Sequence, residues 1–505
     1  MTNDIRAAEP ARQHPSPPEP DEPVSRPAWF VPLLRRIHFY GGIFVGPFIL
    51  IAALTGAIYA FSPQIERMVY SEELTASSKS TDYLPLDEQV AAAEEHVGED
   101  AQLAAVRPAA TPGDTTRVIY EYDESPSGLH DPQRGIFIDP VTGEVRGDEG
   151  VYGTGGSLPL RTEIAQMHRH LFLGDWGRLY SELAASWLAV IIIAGVGLWA
   201  ARWRAVRRSK RKQKGMLLPE NSARGLRRTR SWHAATGIWI AAGGLFLAAT
   251  GITWSTYGGA NVADLRTSMD WQTPSVETQL NPDAEDAGVH DEHPHHGHGG
   301  EQAHDTHAVD VSGIGHVLRA GREAGFTSAH VELIAASGEG EAWSMRDVSM
   351  KLPTPEIQAV AVDPATYKVT DVLAWDDYSF MAKLAQWGIW MHMGTLFGLA
   401  NQILLFTLAV SIGLLVIWGY VMWWQRRPRH NPAQKVGNLP SRGSLRRAPW
   451  WGKALITAGL GLIAWFLPLL GVSLVAFILI DMLLALRQRR ASASDSRLAT
   501  TRSKP

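Results

Sequence analysis

The sequence predicts a mainly α-helical integral membrane protein. It is a six-helix bundle, with four helices from an internal repeat and two from a C-terminal hairpin, carrying two external α+β modules. Three observations lead there. The 505-residue chain has a mean hydropathy of −0.08, yet Asp, Glu, Lys and Arg are absent from 37–61, 183–201, 232–262, 384–425 and 454–480. A span needs roughly 20 apolar residues, so each of these runs is a membrane-helix candidate. The second observation is a motif that returns: His38, Gly42, Thr55 and Gly56 are matched 195 positions later by His233, Gly237, Thr250 and Gly251. The third is another match, at a spacing of 224: His168, Gly174, Gly195, Trp199 and Arg202 with His392, Gly398, Gly419, Trp423 and Arg426. The unit helix, external module, helix is therefore present twice.

Charge orients the unit. Residues 202–230 carry twelve Lys/Arg and one acid, Glu220, and 426–453 carry eight Lys/Arg and none. The segments 62–163 and 258–386 carry 20 and 21 acids against seven bases each. Short basic loops stay on the cytoplasmic side, so the acidic segments lie outside and both termini inside. The basic loops are read as topology and not as nucleic-acid binding.

Taken in order, 1–28 is a polar, Pro-rich tail expected to be disordered in the cytoplasm. Helix 1 occupies 29–62, with its apolar run from Ile37 to Phe61. The first external module, 63–163, opens with an amphipathic helix from Pro85 to Glu94. Strand-like runs follow at Val118–Tyr122 and Gly135–Ile138, and a turn at Asp139-Pro140-Val141-Thr142-Gly143. Helix 2 lies in 164–203, the basic loop in 204–230 and helix 3 in 231–257. The second module, 258–386, repeats the first with a helix at Ile314–Ala324, a strand near His330–Ile334 and the turn Asp363-Pro364-Ala365-Thr366. Helix 4 lies in 387–426 and a second basic loop in 427–449. Residues 450–487 are too long for one span of a hydrocarbon core about 30 Å thick. Splitting them at Pro468 to Gly471 gives helices 5 and 6 and returns the basic end to the cytoplasm. The tail 488–505 is expected to be disordered.

With no cysteine, thiolate nucleophiles, disulfides and thiolate-ligated clusters are excluded. No GxSxG, HExxH or Walker motif is present. What remains is histidine at membrane boundaries. Ionisable residues within spans are costly and mark function, and two histidines at equal depth on neighbouring helices are the layout for a bis-His haem. His38 and His233 form the inner pair, with Gly42 and Gly237 removing bulk one turn on. His168 and His392 form an outer pair, provided the helices break at Gly174/Gly177 and Gly394/Gly398. His170 is an alternate ligand. Arg35, Arg36 and Arg178 are candidate partners for haem propionates, and Asp481 is read as packing. A histidine-rich insert, 290–307, offers His290, His293, His295, His296, His298, His304 and His307 as weak metal ligands.

The His38-x3-Gly42…Thr55-Gly56 helix, the Ile138-Asp139-Pro140-Val141-Thr142-Gly143 turn, the His168…Gly174-Asp175-Trp176-Gly177-Arg178 segment and the His392-Met393-Gly394-Thr395-Leu396-Phe397-Gly398 segment together resemble the PepSY-associated transmembrane helix family. The resemblance covers about 30–430. It implies two external PepSY modules on a bundle holding two haem b groups in the bacterial cytoplasmic membrane. As in ferric-siderophore reductases, electrons from a cytoplasmic or membrane donor would then reduce iron in a siderophore or other chelate. Two other readings stand beside it: a non-enzymatic PepSY sensor or peptidase modulator, and a metal-handling protein centred on the insert.

Overall fold

A computed structural model describes residues 29–98, 101–121, 133–153, 155–209, 215–280, 313–336, 338, 340–427 and 444–502. The N-terminal tail and the histidine-rich insert lie outside them. The first apolar run is not one helix. It forms α1 (Phe30–Phe44) and α2 (Gly46–Tyr59), bent by 62° at Val45. Pro47 causes the bend: it has no N–H for the carbonyl of Ile43, and its ring crowds that carbonyl. The orphaned oxygen is met from outside, because the Tyr420 hydroxyl donates to Ile43 O at 2.6 Å.

Two short helices, α3 (Ser62–Val69) and α4 (Ser71–Leu74), lead out of the bundle to α5 (Leu86–Val97) and strands β1 (Leu103–Arg107), β2 (Thr116–Tyr120), β3 (Gln133–Ile138) and β4 (Val145–Val151). The chain returns through α6 (Pro159–His170) and α7 (Gly174–Arg208), then α8 (Gly225–Thr253) and α9 (Tyr257–Ser268). The second half repeats the order: α10 (Ile314–Glu323), β5 (Val331–Ile334), β6 (Trp343–Asp347), β7 (Ile357–Val362), β8 (Val369–Ala374), α11 (Phe380–Met393) and α12 (Leu399–Gln425). A last pair, α13 (Trp450–Phe466) and α14 (Pro468–Arg502), closes the chain.

The fold is mostly helical, with three candidate membrane spans, α7, α8 and α12, and a fourth if the bent α1–α2 pair counts as one. The expectation of six helices is thus corrected to fourteen among the described residues. Pro47, Pro468 and left-handed residues divide the apolar runs, and helices also form outside them. α14 stays helical to Arg502, where disorder is expected from 488. The α13–α14 pair docks on the repeat through Trp187, whose Nε1–H donates to Ser473 Oγ at 2.9 Å, and through an Arg36–Asp481 ion pair. Glu182, buried in α7, accepts N–H bonds from Tyr257 and Gly258 at 2.9 and 3.0 Å, which caps α9.

The two α+β modules are one sheet. Its eight antiparallel strands run β4-β3-β2-β1-β5-β6-β7-β8, so the order reads the same outward from the β1–β5 seam in both directions. Val106, Val118, Ile136, Leu333, Met345 and Val360 point to one face and form a single core with Val90 of α5 and Val317 of α10. Across the seam, Glu332 on β5 holds Arg107 on β1 and Arg346 on β6, each at 2.6 Å. Burial alone would raise the Glu332 pKa; the two guanidinium groups outweigh it and hold the carboxyl below its usual range. The repeated turn is preserved even where its glycine is missing. Gly143 sits at φ +76° and its counterpart Tyr367 at +54°, and both donate N–H to the turn's aspartate carbonyl, at 2.9 and 2.8 Å.

Candidate functional site

His38 on α1 and His233 on α8 face each other, with ring centroids 6.0 Å apart and planes at 87°. Each ring is fixed by a main-chain oxygen of a third or fourth helix. His38 Nδ1 lies 2.8 Å from Ile191 O on α7, and His233 Nδ1 lies 3.1 Å from Leu415 O on α12. Ile191 and Leu415 are themselves 224 positions apart, so the repeat carries the orienting groups as well as the histidines. A carbonyl only accepts, so Nδ1 bears the proton in both rings and Nε2 keeps a bare lone pair. Gly195, four residues after Ile191, makes the first contact possible: a Cβ there would meet His38 Cε1 at 3.0 Å.

The outer pair is built by chain reversal. After α6, Leu171, Phe172 and Gly174 take φ of +54°, +56° and +54°, and after α11 Gly394 and Gly398 take +84° and +56°. These breaks fold α6 against α2 and α11 against α8. His168 Nδ1 then lies 3.0 Å from Thr55 Oγ1, and His392 Nδ1 lies 2.6 Å from Thr250 Oγ1. Each threonine hydroxyl has one proton. Thr55 gives it to Ile51 O at 2.9 Å and Thr250 to Phe246 O at 2.8 Å. With their protons so placed, the hydroxyls can accept from a ring Nδ1–H, the tautomer that leaves Nε2 bare. Gly56 gives His168 room, since a Cβ there would meet its Cε1 at 3.2 Å. The two outer rings lie within electrostatic reach of one another.

The donor set and the space suit a flat metallo-macrocycle. Two imidazoles bound end-on to opposite faces of one metal, at about 2 Å per bond, hold their centroids roughly 6 Å apart. Among the described residues no group of three or more His, Cys, Asp or Glu could hold a metal. A protein-only site wants about four ligands, whereas a macrocycle supplies the others itself. The four histidines are only partly buried. A Cβ at Gly42 would meet nothing within 4 Å, and one at Gly237 only Leu415 methyls at 3.9 Å. Both histidines therefore border open space on the glycine side.

Other sequence candidates fall elsewhere. His170 ends α6 edge-on to Phe172, at 6.5 Å. Arg36 is committed to Asp481, with which it forms an ion pair. Arg35 is exposed, and Arg178 lies near Arg169. Ile191 and Leu415 had no sequence signal, because main-chain oxygens are indifferent to residue type. Thr55 and Thr250 did have one, their place in the repeat.

A bundle with apolar helices long enough to cross a membrane, an antiparallel sheet and paired histidines defines the class: an integral membrane protein of the helical type. Residues 35–426 match the family described as PepSY-associated TM region, and the chain belongs to it. No curated protein matches the chain.

Proposed function

We propose that the protein is a transmembrane oxidoreductase of the iron-regulated membrane type, passing electrons across the cytoplasmic membrane to reduce iron in a siderophore or other ferric chelate. His38 and His233 would hold one haem b and His168 and His392 a second, each through Nε2. The haem supplies one-electron chemistry through its iron, at a potential tuned by axial ligands and burial. The carrying observation is that all four histidines have Nδ1 held by a partner that obeys the repeat, Ile191 and Leu415 carbonyls for the inner two and Thr55 and Thr250 hydroxyls for the outer two.

The chain sets the vertical geometry. Seventeen residues separate His38 from Thr55 and His233 from Thr250. At about 1.5 Å per residue, α8 puts its two levels roughly 25 Å apart, and the 62° bend shortens the α1–α2 path to about 22 Å. The two levels therefore bracket most of a hydrocarbon core about 30 Å thick. The Nδ1 contacts keep each imidazole from rotating. Chelate reduction belongs at the outer level, beside the sheet.

The test is the visible spectrum of the purified, haem-replete protein before and after dithionite. A reducible b-type spectrum is expected, with His38→Ala removing the inner component and keeping the outer. Absence of that spectrum sinks the reading. The sensor reading predicts instead that alanine at all four histidines leaves function intact. The metal-handling reading predicts that deleting 290–307 abolishes it.

A further inference from the structure

A cavity of about 230 Å³ opens between α1, α7, α13 and α14. Leu33, Ile37, Val190, Leu460 and Phe477 make its walls apolar, and Arg36, Asp481 and Ser444 bring the polar groups. The Arg36–Asp481 pair is nearly buried, with side chains 3% and 17% exposed. Ionic groups within spans are costly and mark function. Ser444 gives the second signal. It is 2% exposed, lines the cavity, and its hydroxyl has no hydrogen-bond partner among the described residues. A ligand oxygen would give this buried hydroxyl the partner it lacks.

These features select the ligand. Pockets for drug-sized molecules run from about 300 Å³ upward, so this one takes a single substituted ring and excludes a macrocycle. Its two formal charges cancel, which does not favour a phosphate headgroup. An acyl chain would leave Ser444 and the ion pair without a counterpart. A small neutral ring with oxygens at its edge satisfies all three groups, and Phe477, edge-on to Trp187 at 6.5 Å, offers an aromatic wall. α13 and α14 leave Leu455, Leu462 and Val472 exposed, an apolar outer surface that suits the lipid phase in which such a ring travels.

We propose that this cavity binds the ring of a membrane quinol. Its place beside the inner histidines follows from the chain. Arg36 and Ile37 immediately precede His38, and Val190 precedes Ile191, whose carbonyl fixes the His38 ring. The redox step rests on the haem reading above; the binding does not. In that step the quinol would give up two electrons, one at a time, to the one-electron acceptor that a haem held by His38 and His233 would supply, and they would pass on to the ferric chelate. Both O–H bonds break and the ring becomes a quinone. Both protons leave to water.

The experiment uses full-length protein in detergent, with a short-chain ubiquinone and a short-chain menaquinone as separate probes. Binding is read as quenching of tryptophan fluorescence, and anaerobic mixing with each quinol reads reduction at the haem wavelengths. Saturable quenching by one or both probes is expected. Gly459→Leu, built where a Cβ meets nothing within 4 Å, fills the cavity. It should weaken binding at least tenfold while keeping the dithionite-reduced spectrum and thermal midpoint of the wild type. Ser444→Ala should weaken it about threefold to tenfold, the worth of one hydrogen bond, and decides the matter if Gly459→Leu does not fold. No saturable quenching in the wild type overturns the proposal, as does binding unchanged in the folded Gly459→Leu protein or in Ser444→Ala. Saturable quinone binding to a protein that shows no b-type spectrum upholds the site and refutes the haem reading alone.

Discussion

Thr250→Val tests the outer site at a single atom. The Thr250 hydroxyl lies 2.8 Å from Phe246 O, to which it can donate, and 2.6 Å from His392 Nδ1, from which it accepts in the tautomer with a bare Nε2. Valine keeps the shape and deletes both that acceptor and the back-bond to Phe246 O. Two effects follow. A buried N–H loses its partner, at about 1–3 kcal/mol, and nothing then favours the tautomer with a bare Nε2. Loss of such a supporting contact typically lowers metal affinity about 10–100-fold, or about 1.4–2.7 kcal/mol. The assay is haem titration of apo-protein on a His38→Ala background, so that only the outer site is read. Thr250→Ser should titrate like the parent. Thr407→Val removes the same kind of helix back-bond, to Ile403 O at 2.7 Å, and serves as the control with no effect. The reasoning is refuted if Thr250→Val keeps parental haem affinity, or if Thr250→Ser loses as much.

Three further outcomes are expected. Tyr420→Phe leaves Ile43 O without its donor at the bend and should cost about 1–3 kcal/mol in detergent unfolding, an effect that Pro47→Ala should suppress by restoring an N–H to the helix. Replacing Arg36 or Asp481 singly by leucine should cost about 3–5 kcal/mol, because each leaves a charge without its partner, whereas the double replacement should be near neutral; a denaturation cycle on the three variants reads this. Glu332 has its folded pKa below the unfolded value of 4.5, so its stabilisation is present above about pH 4.5 and is lost as pH falls through the folded value. Acid unfolding of Glu332→Gln should therefore be flatter in that window than that of the parent.

Much of this was legible in the residues. Charge segregation marked the apolar runs, and the two spacings paired the four histidines with Gly42, Gly237, Thr55 and Thr250 before any geometry was known. The helix breaks lie beside Gly174, Gly394 and Gly398, whose left-handed φ values cost glycine little. The bend at Val45 was written in Pro47 but hidden by the uniform hydropathy around it. Arg36 and Asp481 are 445 positions apart, and only their shared oddity, charges against apolar runs, hinted at a pair. The shared sheet left no trace. Pairing of β1 with β5 is main-chain hydrogen bonding between distant strands, and each half reads locally as a complete four-stranded module.

That seam bears on how such a chain can be assembled. β1 and β5 would each be an outer edge if the halves stood alone, with N–H and C=O groups unmet and ready to template a foreign strand. Joining both halves in one polypeptide makes the encounter intramolecular, so it proceeds at the effective concentration set by the tether and not at that of the protein in the membrane. A fragment ending after α7 lacks that protection. It should self-associate through β1, rebuilding from two copies the junction that the full chain makes within itself.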